Sequence, residues 1–249
     1  MAILDRVLRR APRPDVPVEE QRMSVIEHLE ALRRMLIVII VAWGITTIAG
    51  FVVSGQVVEW LVSRAGLGHA VYLGPGSFVL TRLQVAIYIG FIIAAPVVIQ
   101  QIWWFVSPGL HRNERKLTLP LIVATIFFFG LGVAAALYAL PLYIRVLNSF
   151  APTNVTYLAD VAQLVGFILL MVIGFGVVFE LPVVLVVLGL LGIVRSRWLY
   201  KNRIWWFVGL ALVANFLTPG VDPLTPLLMF VPLYIFFEMS ALILKLSGR

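Results

Sequence analysis

Six apolar segments alternate with short polar or charged stretches along most of the chain. A helix needs about 20 residues to cross the hydrocarbon core of a bilayer, and these segments reach or approach that length. The pattern therefore predicts an all-α polytopic membrane protein with six transmembrane helices. Their expected ranges are 35–53, 78–106, 117–144, 161–194, 204–217 and 226–244. We expect loops over 54–77, which is rich in glycine, and over 195–203, which is rich in cations.

The predicted helices differ in length. The fourth would extend about 50 Å at 1.5 Å per residue, which exceeds a hydrocarbon core of about 30 Å, so we expect it to tilt, bend or protrude. Pro182 is expected to bend it, since proline removes a helical hydrogen bond. The fifth and sixth are marginally short for a normal bilayer.

Composition supports a membrane protein. Of the 249 residues, 61% are apolar and 12% are charged, whereas soluble domains are about half apolar and a quarter charged. The chain has no cysteine, which excludes disulfides and thiol chemistry.

The net charge of +7 is explained by its distribution along the chain. Seven cations lie in the N-terminal region up to Arg34, three in 112–116 and four in 195–203, and two follow the last span. The intervening loops carry Arg64 and, in the turn over 218–222, no cation. By the positive-inside rule, both termini are expected to be cytoplasmic. No nucleic-acid partner is needed to explain the charge.

The N-terminal region divides in two. Residues 1–22 are basic and contain prolines, and we expect a disordered cytoplasmic tail. Residues 23–246 are expected to form one six-helix membrane domain. A capping box from Ser24 to Glu27 predicts an amphipathic helix that runs directly into the first span, with Glu30 outside its apolar stripe.

The segment Gln101–Lys116 ends the second apolar run and turns the chain. Within it, Glu114 stands among three cations, Arg112, Arg115 and Lys116. Such a carboxylate forms either a local ion pair or a binding site for a cationic partner. An exposed ion pair contributes at most about 1 kcal/mol. The sequence leaves both interpretations open at this point.

Two further acids lie inside apolar runs. Glu180 is midway along the fourth span and has no cation nearby in sequence. It must face a water-filled concavity, pair with another helix, or be protonated. Ionisable residues inside the membrane commonly have a functional role. Glu238 lies in the last span within two turns of Lys245, so we expect it to reach towards the membrane boundary.

The sequence provides little for catalysis or metal binding. His28, His69 and His111 are scattered without ligand spacing. Nucleophile elbows, phosphate-binding loops and zinc-protease motifs are absent from the sequence. We therefore expect no catalytic residues, no metal and no cofactor, and a protein that is not an enzyme.

Several short motifs resemble those of the TatC family, the multispanning receptor subunits of the twin-arginine protein translocase. The resemblance extends from about His28 to Glu238, and its motifs occur in the same order as in the family. They are His28-Leu29-x-x-Leu32-Arg33, Ala95-Pro96, Gln101-x-Trp103-x-Phe105-x-x-Pro108-x-Leu110-x-x-x-Glu114-Arg115, Phe175-Gly176-x-x-Phe179-Glu180-x-Pro182, Leu217-Thr218-Pro219 before Asp222-Pro223, and Pro232 ahead of Phe237-Glu238.

This resemblance implies a concave, glove-like bundle in the inner or plasma membrane of a prokaryote. It implies recognition of the twin-arginine signal peptide of folded cargo at the cytoplasmic face, by Glu114 with Arg115 and Phe105. Glu180 would be a polar group inside the concavity. The single-span partners TatA and TatB would be recruited, the proton gradient would drive export, and the chain would be a homo-oligomer within a lipid-embedded complex.

The chain departs from the family pattern at two positions. The usual glutamate of the first motif is replaced by Ala31, and Glu30 either substitutes for it or pairs with Arg34 on the exposed face. A glutamine frequent at the start of the last span is replaced by Pro226. The polar contacts to the partner helix would then come from Thr218, Asp222 and Thr225.

A secondary transporter with Glu180 as a proton or solute site is the alternative. Many transporters contain inverted repeats with broken helices at matching positions. Pro96 and Pro182 fall in the second and fourth spans, and the two halves of the chain show no convincing repeat. A membrane scaffold without transport function is a third possibility that no sequence feature favours.

Overall fold

The computed structural model describes residues 25–66, 70–107, 115–150, 159–217 and 224–248. Its helices and strands are α1 (Val25–Arg64), β1 (Ala70–Val71), α2 (Ser77–Val106), a 3₁₀ turn (Arg115–Leu117), α3 (Thr118–Ser149), β2 (Ala159–Asp160), α4 (Val161–Val178), α5 (Leu181–Leu190), α6 (Ser196–Lys201), α7 (Arg203–Leu217) and α8 (Leu224–Leu246). The predicted all-α membrane class is confirmed.

Five segments in the described part of the chain are long and apolar enough to cross a membrane. They are α1, α2, α3, the combined α4 and α5, and α8. The apolar helix α7 has 15 residues, which gives about 22 Å at 1.5 Å per residue. It is shorter than the other five, as the spacing of polar residues predicts. The sequence also predicts a marginally short sixth helix, and this prediction is wrong, because α8 has 23 residues and is long enough to cross a membrane.

Two of the predicted loops are partly helical. Helix α1 continues to Arg64 instead of ending near residue 53, because one face of its extension is buried. That face consists of Ser54, Val58, Leu61 and, just past the helix, Ala65. The basic loop over 195–203 contains α6, since Ser196 and Leu199 turn into the protein.

Helices α1 and α2 form an antiparallel pair that packs backbone against backbone. A Cβ added at Gly90 would lie 2.7 Å from the Thr47 Cα, so only glycine fits at this crossing. The Thr46 hydroxyl donates a hydrogen bond of 2.7 Å to the Gly90 carbonyl oxygen. The Trp43 indole nitrogen donates one of 2.9 Å to the Ile87 carbonyl oxygen. Small residues and cross-helix hydrogen bonds are what join helices in lipid.

Helix α4 is the centre of the bundle, and it crosses α3 at close range. Its segment is the most buried of the five apolar ones. A Cβ at Gly132 of α3 would lie 2.5 Å from the Phe175 carbonyl oxygen of α4. A Cβ at Gly176 would lie 2.8 Å from the Phe129 ring. The crossing therefore needs a glycine on each helix.

The fourth apolar segment is interrupted at Phe179 and Glu180, between α4 and α5. Pro182 at the start of α5 has no amide hydrogen to give to the preceding turn, which accounts for the break. The sequence predicts a bend at this level, and the structure has an interruption there.

A pair of two-residue strands closes the opposite end of the bundle from the start of α1. Strands β1 and β2 are parallel, with Ala70 opposite Ala159 and Val71 opposite Asp160. The Asp160 carboxylate also accepts a hydrogen bond of 3.2 Å from the Ala162 amide and so caps α4. The segment that follows α1 is thereby joined to the start of the central helix.

Candidate functional site

The first turns of α1 meet the last turn of α2 through a pair of aromatic rings. The rings of His28 and Phe105 are stacked, with centroids 4.2 Å apart and planes 24° from parallel. His28 comes from the first sequence motif and Phe105 from the second, so residues 77 positions apart in the chain lie side by side.

The end of α2 is held in place by a buried hydrogen bond. The Trp103 indole nitrogen donates to the Thr125 hydroxyl of α3 at 3.0 Å. That hydroxyl donates in turn to the Leu121 carbonyl oxygen at 2.9 Å. Trp103 is only 7% exposed, so Phe105 belongs to a turn whose orientation is fixed. The segment that carries Glu114 begins from this anchored turn.

The predicted signal-peptide site is only partly described by the structure. Phe105 is half-buried against His28. Glu30 is exposed on α1, two residues beyond His28. Glu114 lies outside the described residues, and Arg115 begins the 3₁₀ turn without a described side chain.

Glu30 is not held by its neighbour Arg34. Within the part of the chain that the structure describes, no ion pair joins these two residues, although both are present. The pairing alternative for Glu30 is therefore not realised in this structure. Its side chain is exposed.

Glu180 lies at the interruption between α4 and α5, among aromatic residues. Its carboxyl group lies against the backbone of Phe129 on α3. The ring of the preceding Phe179 makes an edge contact with Phe236 of α8, with centroids 4.8 Å apart. The site is thus surrounded by three helical segments: α3, the α4–α5 break and α8.

The Glu180 Oε1 atom is buried, and no hydrogen bond reaches it from any described residue. Nor does any described cation form an ion pair with this carboxyl group. Of the three environments that the sequence allows, an ion pair with another helix is not observed within the described ranges, and the neighbour of the carboxyl group on α3 is the backbone of Phe129. An unpaired charge at this depth would be costly, so a protonated or water-contacting carboxyl group fits the site.

Two of the three predicted partner contacts, Thr218 and Asp222, lie outside the described residues. Thr225 is in the first turn of α8, where its side chain is not described.

A polar cluster that the sequence motifs did not indicate joins α7 to α8. One guanidinium nitrogen of Arg203, Nη2, lies 2.6 Å from Glu238 Oε1. Its Nε donates a hydrogen bond of 2.7 Å to the Tyr234 hydroxyl. Glu238 is therefore paired across helices instead of only reaching towards the membrane boundary. A cation at the start of one short helix and an acid near the end of the next was the available signal.

Comparison with known proteins gives a consistent match. The family model described as "Sec-independent protein translocase protein (TatC)" matches residues 27–232. A TatC protein of Carboxydothermus hydrogenoformans is 33% identical, over 92% of this chain and 95% of the relative. The Bacillus subtilis protein TatCy is also 33% identical, over 92% of this chain and 91% of the relative.

Solved structures agree with the sequence relatives. A crystal structure described as the twin arginine translocase receptor TatC matches with a TM-score of 0.78 and 31% identity. The match covers 90% of this chain and all of the other. The resemblance drawn from the sequence motifs is confirmed, as is a multi-pass membrane protein. The chain belongs to the TatC family and is a subunit of the Sec-independent protein translocase.

Proposed function

We propose that this chain is the subunit that recognises the twin-arginine signal peptide of folded cargo. Recognition would occur at the face where α1 begins and α2 ends. Both termini would lie on the same, cytoplasmic side, as the distribution of cations favours. The membrane would be the inner or plasma membrane of a prokaryote.

The observation that supports this proposal most is the stacking of His28 on Phe105 at 4.2 Å. It joins two of the family motifs into one surface. The segment that follows Phe105 contains Glu114, so a carboxylate is available within nine residues of an anchored aromatic side chain. An aromatic surface that is followed in the chain by a carboxylate suits a peptide that carries both guanidinium groups and apolar residues.

Glu114 would be the main acceptor for the arginine pair, with Arg115 and Phe105 as neighbours. A guanidinium group presents a planar fork of donors that a carboxylate accepts in two parallel hydrogen bonds. Glu30 would supply a second carboxylate in place of the family glutamate that is missing at Ala31. Because that glutamate is missing, this chain should depend on Glu114 more heavily than its relatives do.

The same chain would act as a scaffold and would catalyse no reaction. TatA and TatB would be recruited through the polar residues Thr218, Asp222 and Thr225 around the start of α8. Several copies would assemble in one complex, and the proton gradient would drive export. Glu180, at the break between α4 and α5, would be the polar group within the membrane concavity.

The test of recognition is photo-cross-linking of a twin-arginine signal peptide to membranes that contain the full chain. Glu114→Ala should abolish the cross-link while the protein stays folded. Glu59→Ala is the control, because Glu59 is an exposed glutamate near the other end of α1. An unchanged cross-link in the Glu114 variant would refute the role of this residue.

A second candidate is favoured by one observation, the buried and unpaired Glu180 Oε1. A secondary transporter could use such a group as a proton or solute site. This function predicts that proteoliposomes containing only this chain take up a solute. The substitution Glu180→Gln should abolish that uptake. The translocase proposal predicts no such uptake.

A further inference from the structure

Residues 193–203, here named the α6 segment, connect the two apolar helices α5 and α7. They therefore lie at a membrane boundary. Three of their cations, Arg195, Arg197 and Lys201, have exposed side chains. Three positive charges within seven residues make this a strongly cationic segment.

These three cations have no ion-pair partner among the residues that the structure describes. Arg203, at the end of the same segment, provides the contrast, because it is paired with Glu238 at 2.6 Å. The carboxylate that α8 offers here is thus occupied by Arg203, and the other three charges are presented outwards.

The α6 segment is held rigidly against the bundle. Leu199 is fully buried, and Val194 and Ser196 are 8% and 6% exposed. The Trp198 ring makes an edge contact with Trp206, with centroids 6.0 Å apart, and Trp206 stacks on Phe237 of α8. A ligand that binds the three cations therefore meets a preformed arrangement and does not have to order a loop.

Large apolar side chains lie close to the cations in the sequence and are themselves exposed. Trp198 is 51% exposed, Trp205 is 75% exposed and Ile204 is 78% exposed. Tryptophan is characteristic of the zone between the hydrocarbon and the headgroups. Exposed apolar surface that continues into a cationic surface fits a ligand with both an acyl part and an anionic part.

We propose that the α6 segment binds the headgroup of an anionic phospholipid. The guanidinium groups of Arg195 and Arg197 would bind the phosphate, each with two donors in a fork. Lys201 would add a point charge, and Trp198 and Trp205 would contact the glycerol and upper acyl region. Each cation near an anionic lipid surface strengthens binding by about fivefold.

The experiment measures lipid binding to the purified full chain in detergent by native mass spectrometry. The probes are phosphatidylglycerol and phosphatidylcholine with identical acyl chains. The test variant carries Arg195→Gln, Arg197→Gln and Lys201→Gln. The control variant carries Arg64→Gln and Arg145→Gln, which replace exposed cations outside the α6 segment. A third variant, Arg195→Lys with Arg197→Lys, keeps the charge.

Wild-type protein should bind phosphatidylglycerol at least about tenfold more tightly than phosphatidylcholine, and the test variant should lose this preference. The control should keep it, and the lysine variant should keep most of it. If the triple variant does not fold, the three single variants replace it, each with an expected loss of about fivefold.

Three results would overturn the proposal. The first is an unchanged preference in the test variant, and the second is an equal loss in the control, which would indicate net charge alone. The third is complete competition by millimolar inorganic phosphate, which would indicate a general anion site without a role for the acyl chains. None of these three results bears on signal-peptide recognition, which uses a different part of the chain.

Discussion

Gly132 at the crossing of α3 and α4 offers a sharp test of how the bundle is held together. In the substitution Gly132→Ala, the new Cβ would lie 2.5 Å from the Phe175 carbonyl oxygen and 2.9 Å from the Gly176 Cα. Both atoms belong to the backbone of α4. No side chain can therefore rotate to relieve the contact, and the two helices must move apart.

The cost can be judged from these distances. Ordinary contacts of a Cβ begin near 3.4 Å, so the helices must separate by roughly 1 Å at the crossing. A gap of that size removes about a quarter to a half of the attraction between the facing atoms. Overpacking of a well-packed core costs about 1–3 kcal/mol. We expect the free energy of unfolding to fall by about this amount.

The matched control is Gly130→Ala, two residues away on the same helix. A Cβ at Gly130 meets nothing within 4 Å among the described residues. Replacement of glycine by alanine in a helix is worth up to about 1 kcal/mol in favour of folding. The control should therefore leave stability unchanged or raise it slightly.

The measurement is reversible unfolding of the purified protein in mixed micelles, with helicity followed against the fraction of denaturing detergent. The alanine at 132 should shift the midpoint to lower denaturant and the alanine at 130 should not. Equal shifts for the two variants would show that the close crossing of α3 and α4 is not as described.

Two further predictions concern polar and aromatic contacts. His28→Ala should weaken signal-peptide binding by about 2- to 10-fold, because it removes the stacking that orients Phe105, and a stacked pair is worth about 0.5–1.5 kcal/mol. His28→Phe keeps an aromatic ring and should retain binding. Equal loss of binding for both variants in a competition assay would exclude stacking as the cause. Arg203→Gln and Glu238→Gln should show a coupling of about 0.2–1 kcal/mol in a double-mutant cycle of unfolding free energies, since Arg203 is 53% exposed. A coupling of zero would contradict the pair as a contributor to stability.

The fold class could be predicted from the sequence because the membrane imposes it. Long apolar runs have to become helices in lipid, where every backbone group needs an internal partner. The end of α1 could not be predicted in the same way. Residues 54–64 are mixed in polarity, and their helix is stabilised by burial of Val58 and Leu61 against other segments. The two-residue strands leave no periodic pattern at all.

The candidate sites show the same division. Glu180 could be identified from the sequence because it is a lone acid in an apolar run, and this signal does not depend on how its helix packs. The pairing of Arg203 with Glu238 depends on the antiparallel contact of α7 with α8, which no local pattern encodes. The stacking of His28 on Phe105 likewise requires the α1–α2 pair to be in register. The sequence motifs therefore identify the candidate residues, whereas the contacts between these residues depend on how the helices pack.

The central claim, recognition that leads to export, is tested most directly by transport of a folded cargo. The chain is produced together with TatA and TatB, its proposed partners, in a strain that lacks its own TatC protein. The cargo on the far side of the membrane is then measured. We predict export of a folded cargo with an intact arginine pair, and none when the pair is replaced by two lysines. Absence of export with the arginine pair, or equal export with the lysine pair, would contradict the proposed function.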